Sequence, residues 1–101
     1  MNYRTLWMPQ AEAFIQSLPP EPRRDFRIAI KKLAAGKTAG LDLRALEGSL
    51  AGYMRLRVRS YRAVYKITAD KKGPALIFVA AGSRSTVYDA FEKILSEQSH
   101  S

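Results

Sequence analysis

The chain has 101 residues, of which 17 are Lys or Arg and 9 are Asp or Glu, so its formal net charge at pH 7 is +8. This length allows one domain with a core of its own, and the absence of cysteine excludes disulfides and the usual zinc-ribbon spacings. No apolar run of about 18 residues and no signal-peptide pattern occur, so we expect a cytoplasmic protein with no membrane partner. A basic excess at this size indicates a nucleic acid or an acidic protein as partner, and the alternative is a solvated basic face.

The first half of the sequence predicts a strand followed by a helical hairpin. Residues 2–8, NYRTLWM, favour a strand that ends at Pro9, and Pro9 suits the first turn of a short helix. A double proline at positions 19 and 20 ends that helix. A longer helix is predicted from Glu21 to Ala35, because apolar residues recur there at i, i+3, i+4 and i+7: Phe26, Ala29, Ile30 and Leu33.

The second half predicts a sheet and a last helix. Strands are expected at residues 53–59 and 61–68, and the apolar run ALIFVAAG at 75–82 is typical of a strand buried on both faces. Ser85 or Thr86 caps a predicted last helix with the apolar stripe Val87, Phe91, Ile94 and Leu95. We therefore expect one α+β domain over residues 1–95, with an antiparallel sheet of about four strands in total, and a flexible tail at 96–101.

The predicted hairpin YMRLRVRSYRAVYK alternates apolar residues with arginine. Leu56 and its apolar neighbours point to one face, and Arg55, Arg57 and Arg59 are expected on the other, with no acidic residue between positions 47 and 70. A two-residue turn at 59–60 places Arg57 directly opposite Arg62, whereas a three-residue or bulged turn shifts that pair. Like charges across a strand pair are destabilising, so stability alone does not explain this face. Guanidinium groups bind phosphate oxygens in pairs, which makes a polyanion the alternative to a solvated edge.

A second basic motif, GSRSTVY, ends the sheet. Arg84 is expected at the junction between the last strand and the last helix, where helix N-termini themselves bind anions. Tyr88 lies four residues further on and shares a helix side with Arg84 if the helix begins by that residue. It is offset by about 100° from Val87, so we expect it to be partly exposed.

The order of these elements, with LEG…GYMRLRVRSYRAVY followed by GSRSTVY, resembles the RelE/ParE superfamily, the toxins of bacterial toxin–antitoxin pairs. The resemblance implies a RelE-like fold and, for RelE-type members, a metal-independent endoribonuclease without cofactor that cuts mRNA in the ribosomal A site. In that chemistry the ribose 2′-OH attacks the neighbouring phosphate and leaves a 2′,3′-cyclic phosphate. By position, the resemblance assigns the site to Arg55, Arg57, Arg62, Arg84 and Tyr88, with Arg59 and Lys66 as peripheral RNA contacts.

The same resemblance leaves the activity open among three functions. The sequence has arginine where RelE has lysine on the first hairpin strand, and many relatives have histidine in the place of Ser83, whereas the single histidine here is His100 in the tail. Guanidinium groups stay protonated and do not exchange protons readily, so no obvious general base is present. A ribosome-dependent mRNA interferase is favoured over a ParE-type inhibitor of DNA gyrase and over a non-catalytic relative. In each case the expected partner is a cognate antitoxin in a heteromeric complex.

Overall fold

The structure is a computed structural model and describes residues 2–83, 87, 88 and 91. It contains two helices, one 3-10 turn and five strands in the following order: β1 (Arg4–Trp7), α1 (Pro9–Gln16), α2 (Pro20–Ala34), β2 (Asp42–Ala45), the 3-10 turn (Gly48–Leu50), β3 (Met54–Val58), β4 (Tyr61–Asp70) and β5 (Gly73–Ser83). Val87, Tyr88 and Phe91 have helical backbone, and the remainder of the predicted last helix lies outside the described residues. The predicted tail at 96–101 also lies outside them.

The five strands form one mixed sheet in the order β1-β5-β4-β3-β2. Strand β1 runs parallel to β5, and all other neighbours are antiparallel. The predicted α+β class is confirmed, but the expected count of four antiparallel strands is wrong. Strand β2 was missed because it has only four mostly exposed residues, and short polar segments carry little strand signal. The parallel pairing of β1 depends on contacts about seventy residues away, which no local pattern reports.

Helices α1 and α2 cover one face of the sheet, which we call the helix face. Phe26 of α2 packs with Leu56 of β3 and Phe78 of β5 in a core from which water is excluded. Trp7 stacks on Phe78 with ring centroids 4.6 Å apart, and this contact joins β1 to the core. Proline stands in the first turn of each helix, where its missing N–H costs nothing.

The opposite face of the sheet has a smaller apolar cluster. Val64 of β4 and Ala80 of β5 pack there with Leu50, Val87 and Phe91. Strand β5 is therefore covered on both faces, as its continuous apolar run predicts. An irregularity between Val64 and Tyr65 in the β4–β5 register changes which residues of β5 oppose β4 beyond that point.

None of the helices in the described part of the chain combines the length and apolar character that are needed to cross a bilayer.

Candidate nucleic-acid interface

A two-residue turn connects β3 and β4. Val58 pairs with Tyr61, so Arg57 lies directly opposite Arg62. Of the two registers that the sequence left open, the one with the two-residue turn is present. Arg59 takes the first turn position with a φ of 58°, in the left-handed region that L-residues other than Gly, Asn and Asp seldom adopt. The turn therefore fixes the arginine pair at the cost of a strained backbone at Arg59.

Two rows of side chains cross the sheet on the face away from α1 and α2. The first row consists of Asp42, Arg57, Arg62 and Gly82, and the second consists of Arg44, Arg55, Val64 and Ala80. Directly opposed residues in antiparallel strands have Cβ atoms about 5 Å apart. The four arginines of these rows are here called the arginine face: Arg44, Arg55, Arg57 and Arg62. The sheet thus brings three of the predicted site residues together and adds Arg44, which was not predicted.

Arg62, which lies next to the turn, has a side-chain donor without an acceptor among the described residues. This donor is Nη1, which is buried. Gly82 is its neighbour on β5 and contributes no side chain that could accept one. On the β3 side stands Arg57, which is exposed and donates from Nε to the carbonyl oxygen of Arg59 at 3.0 Å. The two guanidinium groups share one side of the hairpin without neutralising each other.

Arg55 differs from its neighbours because it is buried and paired. Its side chain is only 10% exposed, and its Nη2 donates to Oδ1 of Asp42. The stretch between positions 47 and 70 has no acidic residue and so suggests arginines without a carboxylate nearby, but Asp42, from outside that stretch, supplies one. Asp42 escaped prediction because it belongs to β2, which was not recognised as a strand. The alternation of the apolar residues Leu41 and Leu43 around Asp42 is the one sequence signal that could have identified this strand.

The two predicted peripheral contacts have different surroundings. Arg59 donates from Nε to Oδ2 of Asp25 at 2.8 Å and also lies 3.8 Å from a carboxylate oxygen of Glu21, both on α2. The prediction that Arg59 shares a face with Arg55 and Arg57 is wrong, since the turn directs it toward the helices. The Nζ of Lys66 lies 5.7 Å from the ring centroid of Tyr53, a residue that packs on the smaller apolar cluster. Lys66 is therefore on the side of the sheet that carries the arginine face.

Tyr88 is half-buried and lies at the end of β2. It lines a groove of about 630 Å³ together with residues of β2 and the 3-10 turn: Arg44, Ala45, Leu46, Glu47 and Leu50. Its partial exposure agrees with the prediction. The groove adjoins the arginine face through Arg44, which belongs to both. Arg84 lies outside the described residues, so its convergence with the arginine face stays a prediction.

The side chains of this surface suit the binding of an anion. Guanidinium donors dominate it, Asp42 compensates the buried Arg55, and Glu47 stands exposed at the groove. Within residues 2–83, 87, 88 and 91, no three His, Cys, Asp or Glu side chains group closely enough to hold a metal ion. Paired guanidinium groups with an aromatic ring nearby suit a phosphodiester backbone with an adjacent base.

Comparison with known proteins relates the whole architecture to one group of solved structures. No protein-family model and no curated protein sequence matches the chain. The RelE–RelB complex from Pyrococcus horikoshii matches with 26% identity and a TM-score of 0.63, over 83% of this chain and 97% of that one. The RelB–RelE complex from Methanococcus jannaschii matches with 22% identity and a TM-score of 0.66, over 85% and 98%. The YoeB/ParE toxin from Agrobacterium tumefaciens matches with 20% identity and a TM-score of 0.66, over 80% and 98%.

The chain has the RelE/ParE toxin fold. The resemblance noted in the sequence is confirmed at this level, because these solved structures are toxins, alone or with their antitoxin, and are covered almost from end to end. In this RelE/ParE fold, α1 and α2 occupy one face of the sheet and the arginine face occupies the other. The position of the basic residues therefore separates them from the helical hairpin.

Proposed function

We propose that the protein is the toxin of a type II toxin–antitoxin pair and acts as a ribosome-dependent endoribonuclease that cleaves mRNA. The observation that supports this most directly is the unpartnered Nη1 of Arg62 beside Arg57. A buried donor without an acceptor is costly, and a charged one more so, which is why such groups are usually paired. A phosphate oxygen bound by the two guanidinium groups would relieve their mutual repulsion, and a rotation of the Arg62 side chain toward it would give Nη1 an acceptor.

In the proposed reaction the arginines stabilise charge and do not move protons. The ribose 2′-OH attacks the neighbouring phosphorus, the bond to the 5′-oxygen breaks, and a 2′,3′-cyclic phosphate remains. Arg57 and Arg62 hold the phosphoryl oxygens as negative charge develops on them, a role whose loss typically costs 10²–10³-fold in rate. Arg84 is proposed to join them from the end of β5. Because guanidinium groups remain protonated, the proton transfers fall to another group, and we assign that contribution to the ribosome–mRNA complex.

Tyr88 and Lys66 complete the proposed surface. The half-buried ring of Tyr88 forms part of the groove next to Arg44, where a base adjacent to the bound phosphate stacks or the 2′-OH is oriented. Lys66 adds a peripheral phosphate contact on the same side of the sheet. Arg59 is not included, because two carboxylates of α2 engage it.

An antitoxin is the proposed protein partner. The net charge of +8 favours an acidic partner, and a partially disordered one can wrap a large surface and block the arginine face. The solved RelE structures from both archaea are complexes with RelB. By this analogy we propose a heteromeric complex, and from the resemblance seen in the sequence we propose that it lies in the cytoplasm of a bacterial cell.

Inhibition of DNA gyrase is the second candidate function. The YoeB/ParE toxin matches this chain with the same TM-score, 0.66, as the RelE from Methanococcus jannaschii. The fold therefore does not discriminate between the two activities, and a non-catalytic, antitoxin-binding role is equally compatible with it. The arginine face favours the ribonuclease, since its guanidinium groups suit a phosphodiester.

To test this proposal, the purified protein is added to a translating extract, and new 5′ ends on the mRNA are mapped. We expect cuts in phase with codons. Arg62→Gln should reduce cleavage 10²-fold or more, and Arg24→Gln, a change of an exposed arginine on α2, should leave it intact. Intact message with the wild-type protein would overturn the proposal, and the same preparation would then be assayed for inhibition of DNA supercoiling.

A further inference from the structure

We propose that Asp42 is a positioning residue that fixes Arg55 as an immobile cation within the arginine face. This inference rests on the proposed ribonuclease function and assigns a part in it to a strand that the sequence did not reveal. Asp42 is the first residue of β2 and lies directly opposite Arg57, while its carboxylate reaches diagonally to Nη2 of Arg55. One acidic side chain therefore contacts one arginine and adjoins another.

The exposures of the two partners show what this ion pair does. The Arg55 side chain is 10% exposed, whereas the Asp42 side chain is 52% exposed. An arginine so covered cannot present its guanidinium fork fully to a phosphodiester. Its charge instead acts from a fixed position, two residues along β3 from Arg57, or roughly 7 Å away. A charge that does not reorganise during the reaction is the kind that stabilises a transition state most effectively.

Asp42 keeps Arg55 in this position because the alternative is an uncompensated buried charge. The Nε of Arg55 is already buried without a partner, so the Asp42 carboxylate is the acceptor that the structure gives this guanidinium. Removing one member of a buried ion pair is strongly unfavourable for the member that remains. Without the carboxylate, Arg55 should swing toward water. Its charge would then be mobile and displaced from the site.

This role predicts opposite effects on binding and on catalysis. Asp42→Asn removes a negative charge from a phosphate-binding surface, so the Kd for single-stranded RNA should fall about twofold or more. The same change releases Arg55, so the cleavage rate should fall on the order of 10- to 100-fold. A purely electrostatic role of Asp42 would tighten binding without slowing cleavage, and a purely structural role would weaken both.

A matched control comes from the other end of the sheet. Asp70 is also half-exposed, at 54%, and pairs with an arginine, Arg4, at 2.5 Å. It lies eight residues from Arg62 along β4, about 26 Å away. This distance exceeds the Debye length in physiological salt, beyond which the interaction between surface charges is largely screened. Asp70→Asn should therefore change neither the Kd for RNA nor the cleavage rate. Asp42→Glu, which retains the carboxylate, should restore cleavage to within a few-fold of wild type.

The experiment measures three quantities on wild type, D42N, D42E and D70N. These are the Kd for a fluorescent single-stranded RNA, the rate of mRNA cleavage in a translating extract, and the NMR signals of the arginine side chains. In wild type, the Arg55 guanidinium should rotate and exchange its protons more slowly than that of Arg57, and this difference should vanish in D42N. Slower cleavage with undiminished RNA binding in D42N supports the positioning role.

Unchanged cleavage in D42N would overturn the inference. An Arg55 guanidinium in wild type that is as mobile as that of Arg57 would also overturn it, and this test does not require D42N to fold. Failure of the proposed function has a separate signature. The wild-type protein would then leave mRNA intact, while the NMR comparison would still show whether Asp42 immobilises Arg55.

Discussion

Replacing Arg62 with methionine should make the free protein more stable while abolishing its activity. The Nη1 of Arg62 is buried without an acceptor, and Arg62 stands directly opposite Arg57. An unsatisfied buried donor costs about 1–3 kcal/mol, and a like-charge cross-strand pair costs a few tenths to about 1 kcal/mol. Methionine keeps an unbranched apolar stem of similar length and removes both costs.

The expected gain lies near the lower end of these ranges, because Arg62 as a whole is only partly buried. A gain of about 1 kcal/mol in the free energy of unfolding corresponds to a rise in Tm of roughly 4–8 °C for a domain of this size. Urea titration followed by circular dichroism measures it as a higher midpoint with an unchanged slope. Cleavage of mRNA by the same variant should be lost.

Arg24→Met provides the control, since Arg24 is an exposed arginine on α2 and surface changes of this kind stay within about 0.5 kcal/mol. A Tm for Arg62→Met at or below that of wild type would refute the reasoning, because it would mean that Nη1 is satisfied by water or by a protein group in solution. Stability gained by disabling a site is expected where function requires an unfavourable arrangement of charge.

Two further predictions concern the core and the acid stability. Phe78→Ala should lower the free energy of unfolding by about 3–5 kcal/mol, because the ring is fully buried. Ile67→Ala changes a side chain that is 57% exposed and should cost far less. Comparable urea midpoints for the two variants would contradict the described core. The hydrogen bond from Arg4, followed by the backbone N–H of Lys72, holds the pKa of Asp70 below its ordinary value of 3.8. The stability that this carboxylate contributes is therefore present above that value and is lost as pH falls through the lowered pKa. In urea titrations, wild type should exceed Asp70→Asn at pH 5 to 7 and lose that advantage toward pH 2, and a constant difference would contradict the assignment.

The sequence predicted those parts of the fold whose signals are local. Both helices lie within one or two residues of their predicted bounds, because prolines and the apolar period mark them. The Arg57–Arg62 pair followed from counting residues across a two-residue turn. That register needed no information beyond the hairpin itself.

The features that escaped prediction depend on contacts between distant segments. Strand β2 forms because β3 offers it an edge, and Asp42 meets Arg55 only through that pairing. The direction of Arg59 depends on Asp25, which lies 34 positions earlier on a helix. Alternation assigned Arg59 to the wrong face, because period-two patterns apply to strands and not to the turn that joins them. The grouping of Arg84 with the arginine face is a prediction that the described residues do not test.

The parallel pairing of β1 with β5 sets the order in which the protein can be completed during its synthesis. Trp7 stacks on Phe78, so the first strand acquires its neighbour only after about seventy further residues have been added. At ~5–20 residues per second, this delay lasts roughly 4 to 14 s. During that interval the helical hairpin has no finished sheet to cover, and the strand that carries Arg62 lacks one of its two neighbours. The surface around Arg62 is therefore complete only after β5 has been added and has paired with β4.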